Sequence, residues 1–373
     1  MNSAVTKTLS LLILIVIGYM LQKRIMTKDQ KAGIKEIILT VALPAMIFIS
    51  LQKVKFELEM IVIPIMALLF NFIIFFLADW LLPLLKIEKG TSNFRTFKML
   101  IPSLAPGLSC FPFLLEYIGE TTLANAALAD IGNKTFVLII LYLISVKWYH
   151  QVQQQASSGN RQKLKFLLQS MVKEPVNFAI IIGLLMLALG IRYESFPPFL
   201  KMSIDRLSLI MTPLILLFIG ISVKPQLNQI KTILCVLLSK SGVTFILSGL
   251  VIVGFGVTDP AMVMLIILFP QSSFSFWPFA HMSAITKTEQ LEERKHRTFN
   301  LDFAMNILAF SLPYSTILIL SLCTFSEYVA QRPQIPFGLG IALLSVAFIP
   351  NYIRYLQKGV VFKNTGAPAK SVR

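Results

Sequence analysis

The stretch Met99-Leu100-Ile101-Pro102-Ser103-Leu104-Ala105-Pro106-Gly107-Leu108-Ser109-Cys110-Phe111-Pro112-Phe113-Leu114-Leu115 sets prolines repeatedly into an apolar run. A second such stretch occupies the matching place in the other half of the chain. It starts at Met264-Leu265-Ile266 and continues through Phe269-Pro270-Gln271-Ser272-Ser273-Phe274-Ser275-Phe276-Trp277-Pro278-Phe279-Ala280. A proline inside a helix removes an N–H donor, at a cost of about 3 kcal/mol. Broken backbone at membrane depth persists only where protein buries it or where it lines a polar cavity. A matched pair of breaks, one per half, is the pattern that marks the binding site of a secondary transporter.

Composition puts these stretches in a membrane. Of 373 residues, 55% are hydrophobic and only 14% charged, with a mean hydropathy of +0.74. Roughly a quarter charged is usual for a soluble chain. The charges fall in short clusters between long apolar runs, as in a polytopic membrane protein. The first apolar run has no small-residue cleavage site after it and reads as a retained span. A net charge of +16 reflects Lys and Arg gathered in cytoplasmic loops and is no sign of nucleic acid. Cys110, Cys235 and Cys323 lie in apolar stretches and read as small buried residues without a disulfide or metal role.

A window of about 19 residues picks out spans near Leu9–Leu21, Ile37–Leu51, Met60–Leu82, Met99–Tyr117 and Leu123–Val146. A second set follows near Val176–Ile191, Leu207–Val223, Ile233–Phe255, Met262–Met282 and Phe299–Leu322. Basic clusters at Lys23–Lys35, Lys86–Lys98, Lys147–Lys173, Lys224–Lys240 and Lys287–Arg297 hold 21 Lys and Arg, against 7 on the opposite side. The bias places the N-terminus outside. Phe337–Tyr352 fits an eleventh span, with Arg354 to Arg373 forming a cytoplasmic tail. An interfacial helix is the alternative, because Pro350 and Asn351 weaken the inner end. Residues 1–149 and 174–325 then form two five-helix units. Residues 150–173 link them in the cytoplasm, and 326–373 carry the extra helix and tail.

The two units align. Leu43-Pro44 matches Thr212-Pro213, Pro112 matches Pro278, and Asp130…Asn133 loosely matches Asp302…Asn306, at separations of 166 to 172 residues. Five spans is an odd number, so the halves cross the membrane in opposite senses. The fold class is therefore an all-α polytopic membrane protein of two inverted repeats, with the site near the midplane.

At these residues the chain resembles the auxin efflux carrier family, which includes bacterial permeases and the plant PIN-formed carriers. The likeness runs over Leu9–Leu322. It rests on Val41-Ala42-Leu43-Pro44-Ala45-Met46-Ile47-Phe48, on Phe111-Pro112-Phe113-Leu114…Gly119-Glu120 leading into Asp130-Ile131-Gly132-Asn133, on Pro213-Leu214-Ile215-Leu216-Leu217-Phe218-Ile219-Gly220, and on Phe269-Pro270-Gln271 followed by Pro278-Phe279. The resemblance implies the fold shared with bile-acid sodium symporters, a scaffold domain beside a transport domain in which the broken fourth and ninth spans cross. The chain departs from the family at Ala105, where Asn is usual, at Cys110, where Gly is usual, and near Phe274, where bacterial relatives carry Asn. Ser109, Ser272, Ser273 and Ser275 supply hydroxyls in their place.

A half-helix that starts in mid-membrane points N–H groups and a positive dipole end at whatever lies before it. With Pro112 and Pro278 opening the second half-helices, the N–H groups of Phe113–Leu115 and Phe279–His281 would face one small volume suited to a carboxylate. Ser109, Ser273 and Ser275 add donors, and Gln271 and Asn133 are further polar contacts. Lys134, well inside a span, either binds the anion or neutralises Asp130 one turn before it. Asp130 and Asp302 are candidate coupling groups, with Asp302 also placed to cap its helix.

The expected function is a secondary carrier moving a small organic anion, a carboxylate by resemblance, by alternating access in the cell membrane. A transporter-like sensor that binds without flux is the alternative. No carboxylate cluster marks a sodium site, so proton coupling and uniport both stay open. The chain has no H-E-x-x-H or G-x-S-x-G motif and no Gly-rich phosphate loop, which argues against an enzyme or an ATP-driven pump. His150, His281 and His296 sit in or beside cytoplasmic loops and are not expected to form a buried site. No metal or cofactor is expected. The expected partners are the anion and the bilayer, and a homodimer through the scaffold domain is compatible with both.

Overall fold

Apolar runs this long bury helices on every side, and caps at their ends decide where they stop. The computed structural model describes residues 3–24, 27–52, 61–153, 175–222, 230–293 and 296–364, and among them the chain is helical with no strand. The expected linker from residue 154 onward and the tail beyond 364 lie outside the described residues. Asp29–Gln52, Val62–Leu84, Glu120–Val152, Pro198–Ile221, Ile230–Gly254 and Leu301–Thr324 are long and apolar enough to cross a membrane. Leu9–Leu21, Pro175–Ala188, Pro260–Gln271 and Gln334–Ile349 are shorter apolar helices.

In chain order the elements are α1 (Ser3–Leu21), α2 (Lys28–Ile37), α3 (Leu43–Gln52), α4 (Val62–Leu84), α5 (Ser92–Leu100), α6 (Pro106–Ser109), α7 (Phe111–Tyr117), α8 (Glu120–Thr135) and α9 (Leu141–Val152). There follow α10 (Pro175–Ala188), α11 (Pro198–Leu209), α12 (Met211–Ser222), α13 (Ile230–Gly254), α14 (Pro260–Leu268), α15 (Trp277–Leu291), α16 (Leu301–Thr324), α17 (Ser326–Ala330) and α18 (Gln334–Asn364). Polar caps fix several starts. Thr27 and Gln30 form a capping box on α2, Thr91 caps α5, Asp259 caps α14 ahead of Pro260, and Asn300 caps α16.

Pro44 and Pro213 each sit in the first turn of a helix that follows a change of course. A wide turn at Ile38–Ala42 precedes α3, and a one-residue interruption at Ile210 precedes α12. The most extensive contacts join α13 to α18, α1 to α12, α4 to α8 and α3 to α10. Close approach makes three of these pairings possible. Gly18 of α1 and Gly220 of α12 each face the other helix's backbone, where a Cβ would stand 2.3 Å from the Leu217 carbonyl oxygen and 2.1 Å from that of Ile15. A Cβ on Gly132 would stand 1.9 Å from the Pro64 carbonyl oxygen, so only glycine lets α8 lie this near α4. Gly242 of α13 and Gly340 of α18 face each other in the same way, each leaving room for the other's backbone carbonyl.

Three expectations change here. Pro350 and Asn351 do not end the last helix, which runs on to Asn364. Lys98 and Lys240, counted with the loop charges, are buried. Lys98 pairs with Asp79 and lies 4.2 Å from the Phe75 ring centre, while Lys240 sits in the middle of α13. His281 is not a loop residue either. It is buried in α15, with Nε2 3.1 Å from the Val137 carbonyl oxygen in the wide turn Phe136–Ile140.

Candidate functional site

The first break follows α5. The chain turns at Ile101-Pro102, runs without helical bonding through Ser103–Ala105, and re-enters a helix at Pro106. The second follows α14, where a tight turn over Phe269–Gln271 leads into Ser272–Ser275 before α15 opens with Pro278 in its first turn. Helical bonding resumes at Pro106 with the single turn of α6, and α7 then opens with Pro112 in its first turn, as α15 does with Pro278. Cys110 joins the two. Its carbonyl accepts from the N–H groups of Phe113 (3.1 Å) and Leu114 (3.0 Å), closing a turn that carries the chain from α6 into α7. Those N–H groups are spent there and face no ligand, and Pro112 and Phe113 are fully buried helix residues.

The broken segments bond directly to each other. Ala105 N–H donates to the Ser273 carbonyl at 2.8 Å. Ser273 N–H donates to Ser109 Oγ at 2.9 Å, and Ser275 N–H donates to Ser103 Oγ at 3.3 Å. Ser109 Oγ in turn donates to the Ala105 carbonyl at 3.0 Å, and Ser275 Oγ accepts from Trp277 N–H at 3.3 Å. All four serines are buried. Backbone groups that lost their helical partners are thus satisfied across the junction, as a buried break requires. The hydroxyls of Ser103 and Ser109 and the backbone groups of Ala105, Ser273 and Ser275 tie the junction together.

Neighbouring helices supply the remaining partners. Asn133 of α8 brackets Leu104, accepting from its N–H at 3.2 Å and donating to its carbonyl at 2.9 Å. Asn133 is itself held by Asn71 of α4 at 3.1 Å and by Asp130 at 2.8 Å. On the other side, α13 presents Lys240, Thr244 and Ser248 on one face, four residues apart. Ser248 Oγ donates to the Ile266 carbonyl at 2.7 Å, and Thr244 Oγ accepts from Gln271 Nε2 at 2.8 Å. The Lys240 ammonium donates to the carbonyls of Pro270 and Ser272, the latter at 3.2 Å. Phe274 N–H donates to Ser311 of α16 at 3.2 Å.

The expected ionisable residues separate in space. Lys134 is buried with Asp130, 3.3 Å from its carboxylate, and lies 3.4 Å from the Asn177 side chain of α10. The ion pair with Asp130 is one of the two roles weighed for Lys134. Asp302 is exposed in the first turn of α16, where its charge meets the positive helix end; Asn300 is the cap. Sequence reading missed Asn71 and Lys240, and it also missed Lys35. The Lys35 ammonium, from α2, stands 4.9 Å from the ring centre of Phe276, at the opening of α15. Two clefts of about 350 Å3 each lie toward opposite ends of α13. Lys86, Glu88, Asn93 and Thr232 line one, and Gly119, Glu120, Asn125 and Asp259 line the other. Neither is lined by a residue of the Ser272–Ser275 segment. Among the described residues no group of His, Cys, Asp and Glu is arranged to hold a metal ion.

Comparison with known proteins gives two findings. The family described as membrane transport protein matches residues 3–275. An uncharacterized transporter of Methanocaldococcus jannaschii is 25% identical over 226 residues, which is 58% of this chain and 68% of that protein.

Proposed function

Since this chain belongs to the membrane transport protein family, that of the auxin efflux carriers, we infer that it is a secondary carrier for a small organic anion. The site is the junction of the two broken segments and the surface it turns toward α2. The observation that carries this reading is the Lys35 ammonium over Phe276, where a helix from the other half of the chain begins. A carboxylate beside this contact accepts from Lys35 and lies before the positive end of α15, with the rings of Phe276 and Phe279 as an apolar wall. Ser275 and Pro278 shape that opening. Ser109, Ser273, Gln271 and Asn133 act as positioning residues that hold the junction.

Inverted five-helix repeats fit the contacts. The first span (α1) pairs with the seventh (α12), and the second (α3) pairs with the sixth (α10), which is the same relation with the halves exchanged. Likewise α5 to α7 pack on the tenth span, α16, while α14 and α15 pack on the fifth, α8 and α9. In this reading α1, α2, α3, α10, α11 and α12 form the scaffold. The junction moves past it with α4, α8, α9, α13 and α16, opening to each side in turn. The clefts at the two ends of α13 are the approaches. The tight fit of α18 on α13 makes the eleventh helix a passenger of the moving unit. Charge placement sets this in the cell membrane with the N-terminus outside.

Purified protein melted against a panel of organic acids, then reconstituted in liposomes, tests the reading. A hit should raise the melting temperature and be taken up saturably. Lys35→Gln should weaken its binding about tenfold or more, as loss of a charge-assisted hydrogen bond does. Binding without uptake would identify a sensor instead, and a hit indifferent to Lys35→Gln would remove the site from this surface.

A further inference from the structure

Lys240 is the buried charge that the carrier reading leaves unused. It sits in the middle of α13, 3% exposed, in a run that is otherwise apolar or weakly polar. Among the described residues no carboxylate lies within ion-pair distance of it. Its ammonium is met by main-chain carbonyls, those of Pro270 and Ser272, and by the Phe274 ring, whose centre is 5.8 Å away. These carbonyls are orphans of the break. In a continuous α-helix the Pro270 carbonyl would accept from Phe274 N–H, which here donates to Ser311 Oγ. A half-helix that ends in mid-membrane presents such carbonyls at its negative pole, and in transporters built on broken helices they coordinate the coupling cation.

We propose that the Lys240 ammonium is a resident cation, tethered by α13, that occupies the carbonyl site where a broken-helix transporter would otherwise bind a monovalent metal ion. The proposal rests on the junction being the translocating site. Its consequence is specific: the carbonyls are never free to take up and release an ion from solution, so neither sodium nor potassium drives the cycle. A tethered charge also moves with the junction and adds no net charge to a turnover beyond that of the substrate. The stripe of Thr244 and Ser248, each bonded to the same broken segment, keeps α13 in register so that the ammonium stays on its carbonyls.

The test is chemical rescue of the full-length protein, read by melting so that no substrate is needed. Lys240→Ala removes the ammonium and leaves space for a short alkylamine. In choline chloride this variant should melt below the wild type. Ethylammonium, or sodium at equal ionic strength, should raise its melting temperature saturably by about 2 °C or more, while the wild type responds alike to choline, sodium, potassium and ethylammonium. A variant indifferent to every cation overturns the proposal, and so does a wild type stabilised by sodium over choline. Should Lys240→Ala fail to fold, the wild-type series still decides, and Lys240→Gln supplies a neutral variant of similar reach. Failure of the transport reading would show differently, as absent uptake of every organic acid while the rescue still holds. Where uptake is found, its rate should be the same in sodium as in choline.

Discussion

Asn133→Leu should be the most destabilising single substitution in the transmembrane part of this chain. Leucine matches asparagine in size, so the loss is almost purely of hydrogen bonds. The Leu104 N–H and carbonyl, both inside the first break, lose their partner at once, and the Asn71 and Asp130 side chains each lose a bond. A buried polar group left unmade costs about 1–3 kcal/mol, so the backbone pair alone amounts to roughly 2–6 kcal/mol. A drop of several degrees in melting temperature in detergent is expected. Asn133→Asp is the informative companion. It keeps the acceptor for Leu104 N–H, loses the donor to the Leu104 carbonyl, and puts a second carboxylate beside Asp130. It should therefore also destabilise, through the lost donor and the added buried charge. A leucine variant that melts with the wild type would mean that Leu104 finds other partners, and Asn133 would then not be what holds the first break.

Lys134→Met should cost nearly as much, for a different reason. It strands the Asp130 carboxylate, which is 4% exposed and among the described residues keeps only its bond from Asn133. Breaking one partner out of a buried ion pair costs about 3–5 kcal/mol, whereas replacing both is often close to neutral. The double variant Asp130→Asn with Lys134→Met should therefore recover most of the stability that Lys134→Met loses. Melting curves of the two single variants and the double complete the cycle. A Lys134→Met protein as stable as the wild type, yet unable to bind the organic acid, would contradict the structural assignment and return Lys134 to the substrate.

Some of this architecture could be read from residue order, and some could not, for identifiable reasons. The prolines clustered in Met99–Leu115 and Met264–Ala280 made both breaks legible, and Pro44 and Pro213 were legible as matching landmarks, while single prolines such as Pro83 and Pro313 sit inside unbroken helices. The extra turn at Pro106, ahead of the helix that Pro112 opens, was not legible. Pro102, Pro106 and Pro112 are equivalent by pattern, and only the Cys110 carbonyl, by closing on Phe113 and Leu114, takes up those N–H groups. The hydroxyls at Ser109, Ser273 and Ser275 were visible as donors. The Ser109 hydroxyl instead accepts from Ser273 N–H in the other half of the chain, and Ser273 and Ser275 cross the junction through their backbone groups; no spacing rule reaches that far. Lys240 carried a signal that charge counting hid, since the apolar run continues on both sides of it. Lys35 carried none. It lies in the first turns of a span beside loop charges, and only the approach of α2 to α15 sets it over Phe276.

The central claim is that the junction of the broken segments moves past the scaffold and carries the bound anion with it. Cross-linking across the contact between α2 and the second break tests it most directly. In a protein with Cys110, Cys235 and Cys323 replaced, Lys35→Cys and Phe276→Cys put one thiol on each side of that contact. With the organic acid raised in concentration to offset the weaker binding of the lysine variant, a short bifunctional thiol reagent should stop the uptake that the unlinked protein still shows in liposomes, and cleavage of the link should restore it. Uptake that continues at the same rate through an intact cross-link would contradict the account.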